Sequence, residues 1–222
     1  STAWTPTSAI PPPRCSAAPA SRASTVSPSA TAMKTIGRDL DFGTPTRLAT
    51  APSLWVWDGF LDEATIEAVL ALFGDETFLA EHADHYGWDT AGFAAEIPAD
   101  QHPVLQAVMA KVEAAVGLRS ALTPTFRMRY YDEGQGHRAH VDAYTFEDTR
   151  LAVSVLIGLV EPAEGGETRF LAAEPESLAI APKRGRLVAW TSTVRGGADD
   201  AKIVHDGATV VRGSKGVLLG FL

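Results

Sequence analysis

The chain has 222 residues, 45% of them hydrophobic, and a formal net charge of -8. It is long enough for one sizeable buried core, and its charge disfavours nucleic acid as an obligate partner, because binding phosphate needs a basic face. No window approaches the roughly 18 consecutive apolar residues of a membrane span, and a single cysteine, Cys15, forbids any disulfide within the chain and favours a reducing, intracellular compartment.

Residues 1–50 differ in composition from the remainder of the chain. Six of the fourteen prolines fall between Ser1 and Arg38, among Ser, Thr and Ala, and the first acidic residue is Asp39. Such a stretch buries too little apolar surface to offset its ordering entropy, so it reads as a disordered or extended tail. Its basic residues Arg14, Arg22, Lys34 and Arg38 also fit a transit peptide or its remnant, which leaves cytoplasmic, plastid and mitochondrial locations open. A Pro-rich arm of this kind could equally fold onto a protein partner.

Residues 51–222 read as one catalytic domain. Leu54 to Trp57 forms a short strand, and Ala64 to Phe73 carries apolar residues at helical spacing, with Gly74 as the candidate C-cap. The aromatic-rich stretch from Asp75 to Phe93 lacks periodicity and is expected to loop over the active site. His82 and His85 lie in it at i, i+3, but with no third ligand nearby they read as exposed or hydrogen-bonded side chains. A second helix is expected from Pro103 to Val116, ended by Gly117. From Thr123 onward the texture changes to short β-type runs separated by turn residues, the pattern of a sandwich or jelly roll. The fold class expected is mainly β with supporting helices.

The chemistry concentrates in Tyr130 to Asp142, Y-Y-D-E-G-Q-G-H-R-A-H-V-D. On a strand, residues two apart share a face, so His140 and Asp142 can offer an imidazole and a carboxylate to one spot. Two histidines and a carboxylate on one face of an ion are the ligand set of non-haem Fe(II) oxygenases, and His205 is the downstream candidate for the third. Lys215 follows in an otherwise apolar last strand. A buried lysine without a partner is costly, which points to an anionic ligand there.

Four further matches accompany the pair in order: Tyr131 heading Y-x-x-G-Q, then G-G-E-T-R-F from Gly165 to Phe170, then P-K-R-G from Pro182 to Gly185 before the apolar Leu187 to Trp190, and finally His205 to Lys215. Together they resemble the catalytic domain of the prolyl 4-hydroxylase-like Fe(II)/2-oxoglutarate-dependent dioxygenases over roughly Leu54 to Leu222. The resemblance implies a double-stranded β-helix, or jelly roll, with His140, Asp142 and His205 on Fe(II). It implies Lys215 and Tyr131 on 2-oxoglutarate, with Thr168 as a further donor, O2 as co-substrate, and ascorbate left open as an accessory reductant. The implied reaction is hydroxylation of a C–H bond, foremost of a prolyl residue in a peptide or protein, with release of succinate and CO2. A free amino acid or small metabolite is the alternative substrate. The family usually has an aromatic residue where His137 stands, a proline at Thr209 and a tryptophan at Gly216, and these departures bear on the substrate side. Two other readings stay open: a catalytically unused subunit that docks through its N-terminal arm, and a structural zinc site on the same three ligands.

Overall fold

Alternation along the strand Val153–Val160 decides how the layers stack. Val155, Ile157 and Leu159 turn to one face and join a core shared with helices, whereas Leu156 turns to the other and joins Phe170, Ile180 and Trp190. Burial on both faces explains why this strand is a near-continuous apolar run.

The computed structural model describes residues 33–120, 122, 124–142, 145–146, 149–192 and 201–222. The first half of the chain supplies β1 (Lys34–Ile36), β2 (Thr46–Ala49), β3 (Leu54–Trp57), α1 (Glu63–Gly74), α2 (Glu76–His82), β4 (His85–Asp89), β5 (Gly92–Pro98) and α3 (Pro103–Val116). Next come β6 (Thr125–Tyr131), β7 (His137–His140), β8 (Thr145–Phe146), β9 (Thr149–Arg150), β10 (Val153–Val160), β11 (Glu164–Gly165) and β12 (Thr168–Phe170). The last are β13 (Leu178–Ile180), β14 (Leu187–Thr191), β15 (His205–Gly207), β16 (Val210–Arg212) and β17 (Lys215–Phe221). An eight-stranded sheet runs β2-β3-β14-β10-β17-β6-β5-β4, and a five-stranded sheet runs β1-β13-β12-β15-β7. The architecture is a jelly roll with helices packed on the outer face of the larger sheet, as the strand spacing predicts. Among the described residues no helix is long and apolar enough to cross a membrane.

The helices follow their local signals. Asp62 accepts from the Thr65 backbone N–H at 2.8 Å to start α1, and Ile66, Val69, Leu70 and Phe73 bury one face. Pro103 sits in the first turn of α3, and Gly117 ends it in the left-handed conformation, φ 71°. Gly74 is not the cap expected of it. It is the last helical residue of α1, and Asp75 adopts an extended conformation and caps α2 through the backbone N–H groups of Thr77 and Phe78.

The expected loop from Asp75 to Phe93 is corrected in the same place. Asp75 restarts a helix, and β4 and β5 follow as a hairpin at the sheet edge. Trp88 explains the apparent lack of periodicity, because it packs edge-on against Phe93 and Tyr130 at 5.8 and 6.4 Å across the strands. His82 reaches Gln101 at 3.1 Å and His85 is exposed.

The tail boundary at residue 50 is also corrected. Residues 34–36 pair in parallel with β13, and residues 46–49 pair with β3. The physical reason is Arg186, 1% exposed. Its Nε donates to Asp58 Oδ1 at 2.6 Å and its Nη2 to Asp58 Oδ2 at 3.0 Å, and its remaining donors take the carbonyls of Gly37, Leu40 and Ala181. The transit-like features before Met33 and Cys15 lie outside the described residues.

The same hub makes the fold acid-sensitive. Burial works against the Asp58 carboxylate, but Arg186, the Phe42 backbone N–H and Lys183 outweigh it and hold its pKa below the usual carboxylate value. A depressed native pKa contributes stability that is present above the unfolded value, near 4, and is lost as pH falls through the native one. The melting temperature is therefore expected to drop below about pH 4, measured by circular dichroism between neutral pH and about pH 2. An Asp58→Asn variant should melt lower at neutral pH and show a shallower fall.

Candidate active site

Three donor atoms from distant parts of the chain meet between the sheets. His140 ends β7 and His205 begins β15, directly across from it in the antiparallel register. Asp142 lies two residues past His140, just beyond the strand rather than on it. Its Oδ1 is 3.3 Å from His140 Nε2 and its Oδ2 3.5 Å from His205 Nε2. Ligand atoms of all three lie within 4.8 Å of one another.

Each imidazole is aimed by its own strand. His140 Nδ1 is 2.9 Å from the Arg138 carbonyl and His205 Nδ1 is 3.1 Å from the Ile203 carbonyl. A carbonyl only accepts, so each Nδ1 carries the proton and each Nε2 keeps a lone pair turned toward Asp142. Phe170 and Trp190 pack around the His205 ring, at 5.6 and 4.9 Å between centroids.

Protonation follows from these neighbours. Burial pushes the pKa of His205 down, which keeps it neutral. Burial also disfavours charge on His140, but the Asp142 carboxylate and the Arg138 carbonyl outweigh that and raise its pKa. Asp142, although buried, is held below the usual range by His140 and His205. Two imidazole nitrogens, that of His140 once a metal displaces any proton shared with Asp142, and one carboxylate oxygen converge with room on the cavity side and fit a divalent ion of the Fe(II) type. Among the described residues the cluster has three members, one fewer than a closed structural zinc site needs.

Lys215 is 3% exposed and lies opposite Tyr131 in the β17–β6 register, with its amine 5.7 Å from the Tyr131 ring centroid. Burial pushes its pKa down to about 8, against the pull of Glu167 and Asp206. Among the described residues its amine has neither a hydrogen bond nor a salt bridge. Tyr131, Thr168 and Lys215 line the same cleft as the His–Asp–His cluster. Strand parity separates Tyr131 from its neighbour, since Tyr130 faces the helix side with Trp88.

Two cleft residues had a signal in the sequence that went unused. Arg127, Arg129 and Tyr131 alternate along β6 and so share one face, and all three line the cleft. Arg129, nearly buried, is 3.2 Å from Asp89 and places its Nη2 3.4 Å from His137 Nδ1. Burial and the charges of His140 and Arg129 push His137 down to about 4. It is thus a neutral hydrogen-bonding group beside His140 and stands outside the donor cluster.

Comparison with known proteins agrees with this geometry. Residues 126–222 match the 2OG-Fe(II) oxygenase superfamily. A viral collagen prolyl hydroxylase from Paramecium bursaria chlorella virus-1, solved as a complex with 2OG, superposes with a TM-score of 0.58 at 17% identity, covering 78% of this chain and 97% of its own. A prolyl-4-hydroxylase from Pseudomonas putida gives 0.56 at 18% identity, covering 78% and 92%. A Trichoplax adhaerens prolyl hydroxylase, solved with a hypoxia inducible factor peptide fragment, gives 0.55 at 15% identity, covering 78% and 84%. No curated protein sequence matches the chain. The strands that carry the His–Asp–His cluster and Lys215 fall within the matched residues, so over residues 126–222 this chain is similar to the 2OG-Fe(II) oxygenase superfamily in the segment that holds the cluster.

Proposed function

We propose that His140, Asp142 and His205 bind Fe(II), that Lys215 binds the distal carboxylate of 2-oxoglutarate with Tyr131 and Thr168 beside it, and that the domain of residues 51–222 hydroxylates a prolyl residue of a peptide or protein. The observation that carries this reading is the meeting of three ligand atoms and one buried amine, without a hydrogen bond or salt bridge among the described residues, in a single cleft. When bound, the ion supplies the activation of O2, coupled to conversion of 2-oxoglutarate into succinate and CO2 while one oxygen atom enters the substrate C–H bond.

The chain's own residues do the rest. The Lys215 ammonium offsets the distal carboxylate at the closed end of the cleft. Tyr131 Oη and Thr168 Oγ1 are hydroxyls that can donate to the same group. Leu156, Trp190 and Val217 line the space between that anchor and the ligand cluster, and their apolar surface excludes water and strengthens the charge pairing. Similarity to prolyl hydroxylases, one of them bound to a peptide, supports the peptidyl-proline substrate. The polar row of Arg127, Arg129 and His137, the last standing where the family usually has an aromatic, favours a free amino acid or small polar metabolite as the second reading.

Succinate release in air, measured against a panel of proline-containing peptides and free amino acids, separates the two substrates. Absence of both succinate and the visible absorption band of the anaerobic Fe(II)–2-oxoglutarate complex would overturn the enzyme reading. Lys215→Met keeps the shape and removes the charge. It is expected to raise KM for 2-oxoglutarate about 100-fold, because truncating one partner of a buried charge pair costs about 2–5 kcal/mol. Metal binding should be unchanged. Because the free amine loses its proton near pH 8, 2-oxoglutarate affinity of the wild type should fall as pH rises past that value.

A further inference from the structure

The cleft wall carries more positive charge than 2-oxoglutarate accounts for. Along β6 and β17 the facing pairs run Tyr131 opposite Lys215, Arg129 opposite Val217 and Arg127 opposite Leu219, all of them lining the cleft. Arg127 lies about 13 Å along the extended strand from Tyr131. A 2-oxoglutarate anchored by one end at Lys215 is too short to reach it.

Both guanidiniums are held in place without being saturated. Arg129 is 7% exposed. Its Nη1 donates to Asp89 Oδ2 at 3.2 Å and its Nη2 to His137 Nδ1 at 3.4 Å. Arg127 meets Glu96 through one nitrogen, Nη2 to Oε1 at 2.7 Å, and its Nε is buried with no hydrogen-bond partner among the described residues. Aromatic rings fix both planes, with Arg127 over Phe221 at 5.6 Å and Arg129 over Tyr131 at 5.9 Å. Elsewhere in the domain Arg169 and Arg186 each close a two-nitrogen fork on one carboxylate, that of Asp206 and that of Asp58. The cleft arginines have no such fork. Their acid partners lie on the β4–β5 hairpin, where the Asp89 side chain is more than half exposed and so weakly paired.

A buried guanidinium donor without an acceptor is costly, and two preorganised arginines in a cleft suit a second carboxylate. His137 ties this row to the ligand cluster. A guanidinium only donates, so His137 Nδ1 accepts from Arg129, while its ring lies 4.6 Å from that of His140. An acid group seated on the arginines is therefore one side chain away from the candidate iron ligands.

We propose that Arg127 and Arg129 are the specificity-determining pair of the cleft, and that the oxidised substrate carries a carboxylate close to the C–H bond that reacts. The proposal rests on the oxygenase reading above and narrows it. A free amino acid supplies its own α-carboxylate, and a peptide supplies an acidic side chain beside the prolyl residue. A neutral prolyl peptide leaves the pair unmatched.

The test compares acids with their neutral counterparts on the Fe(II)-loaded full chain: free amino acids against their amides, and proline-containing peptides bearing glutamate against the same peptides bearing glutamine. Succinate formation gives KM for each compound, and the shift it causes in the absorption band of the anaerobic Fe(II)–2-oxoglutarate complex gives its binding without turnover. At least one acid is expected to bind about 100-fold more tightly than its neutral counterpart. A response confined to the amino acids identifies a free substrate, and one confined to the peptides an acidic peptide. Arg129→Met and Arg127→Met should remove most of this preference while 2-oxoglutarate affinity stays unchanged, and Arg129→Lys, which keeps the charge without the fork, should restore part of it. Equal binding of acid and neutral forms, a preference that survives both substitutions, or a panel in which no acid shifts the band overturns the proposal while the band itself upholds the oxygenase reading. Failure of the wild type to form the band overturns both. Should Arg129→Met not fold, Arg127→Met decides, because that side chain is 43% exposed and its replacement is tolerated more easily.

Discussion

Alanine at Asp142 or His205 is expected to eliminate stoichiometric Fe(II) binding and to lower succinate formation about a thousandfold or more, since several kcal/mol of transition-state stabilisation go with the ion. The reason is geometric. Asp142 bridges the two imidazoles at 3.3 and 3.5 Å, so its loss removes both a donor and the one negative charge of the set. Loss of His205 leaves a two-ligand site on β7 and the residues just after it. His137→Ala supplies the contrast. Its ring lies 4.6 Å from that of His140, yet its Nδ1 faces Arg129, so this variant should keep full metal content and change only substrate parameters. Metal content of anaerobically loaded protein, measured alongside succinate formation, checks both expectations. Retention of bound Fe(II) by His205→Ala would remove His205 from the ligand set.

The largest stability effect is expected at Arg186. Replacement by methionine keeps much of the volume but leaves the nearly fully buried Asp58 carboxylate without its main partner and takes a donor from the carbonyls of Gly37, Leu40 and Ala181, of which Leu40 keeps Lys183. Breaking a buried ion pair from one side costs about 3–5 kcal/mol, equivalent to roughly 10 °C or more in melting temperature for a domain of this size. The site lies on the β1 and β14 side of the roll, so metal binding by the folded fraction should be unaffected. Combining Arg186→Met with Asp58→Leu should recover part of the loss, because the stranded charge is then gone. Denaturant unfolding of the four proteins gives the coupling directly. A double variant as unstable as the sum of the singles would show that Arg186 acts mainly through the carbonyls of residues 37, 40 and 181.

The local chemistry of the site was legible because it is periodic or conspicuous. Two residues apart on an extended segment point to one side, which nominated His140 and Asp142 together. A lysine among Val217, Leu218 and Leu219 is anomalous by burial alone. The same parity rule along β6 carried an unused signal for Arg129. Helix α3 announced itself by proline at its start and glycine at its end. The first 50 residues misled in part, because composition reports the average tendency of a segment to order and takes no account of a partner elsewhere.

That partner is Arg186, which holds residues 37 and 40 from the far end of the chain. Sequence by itself determined the residue types, the faces of individual strands and the ends of the helices, since these depend on neighbours within a few positions. Only the tertiary structure decided that residues 34–49 join the sheets and that His205 lies opposite His140. Each of these depends on which distant strands pair and in what register, and that is fixed by the joint burial of both cores and by the need to satisfy every buried polar group, conditions that only the whole fold meets.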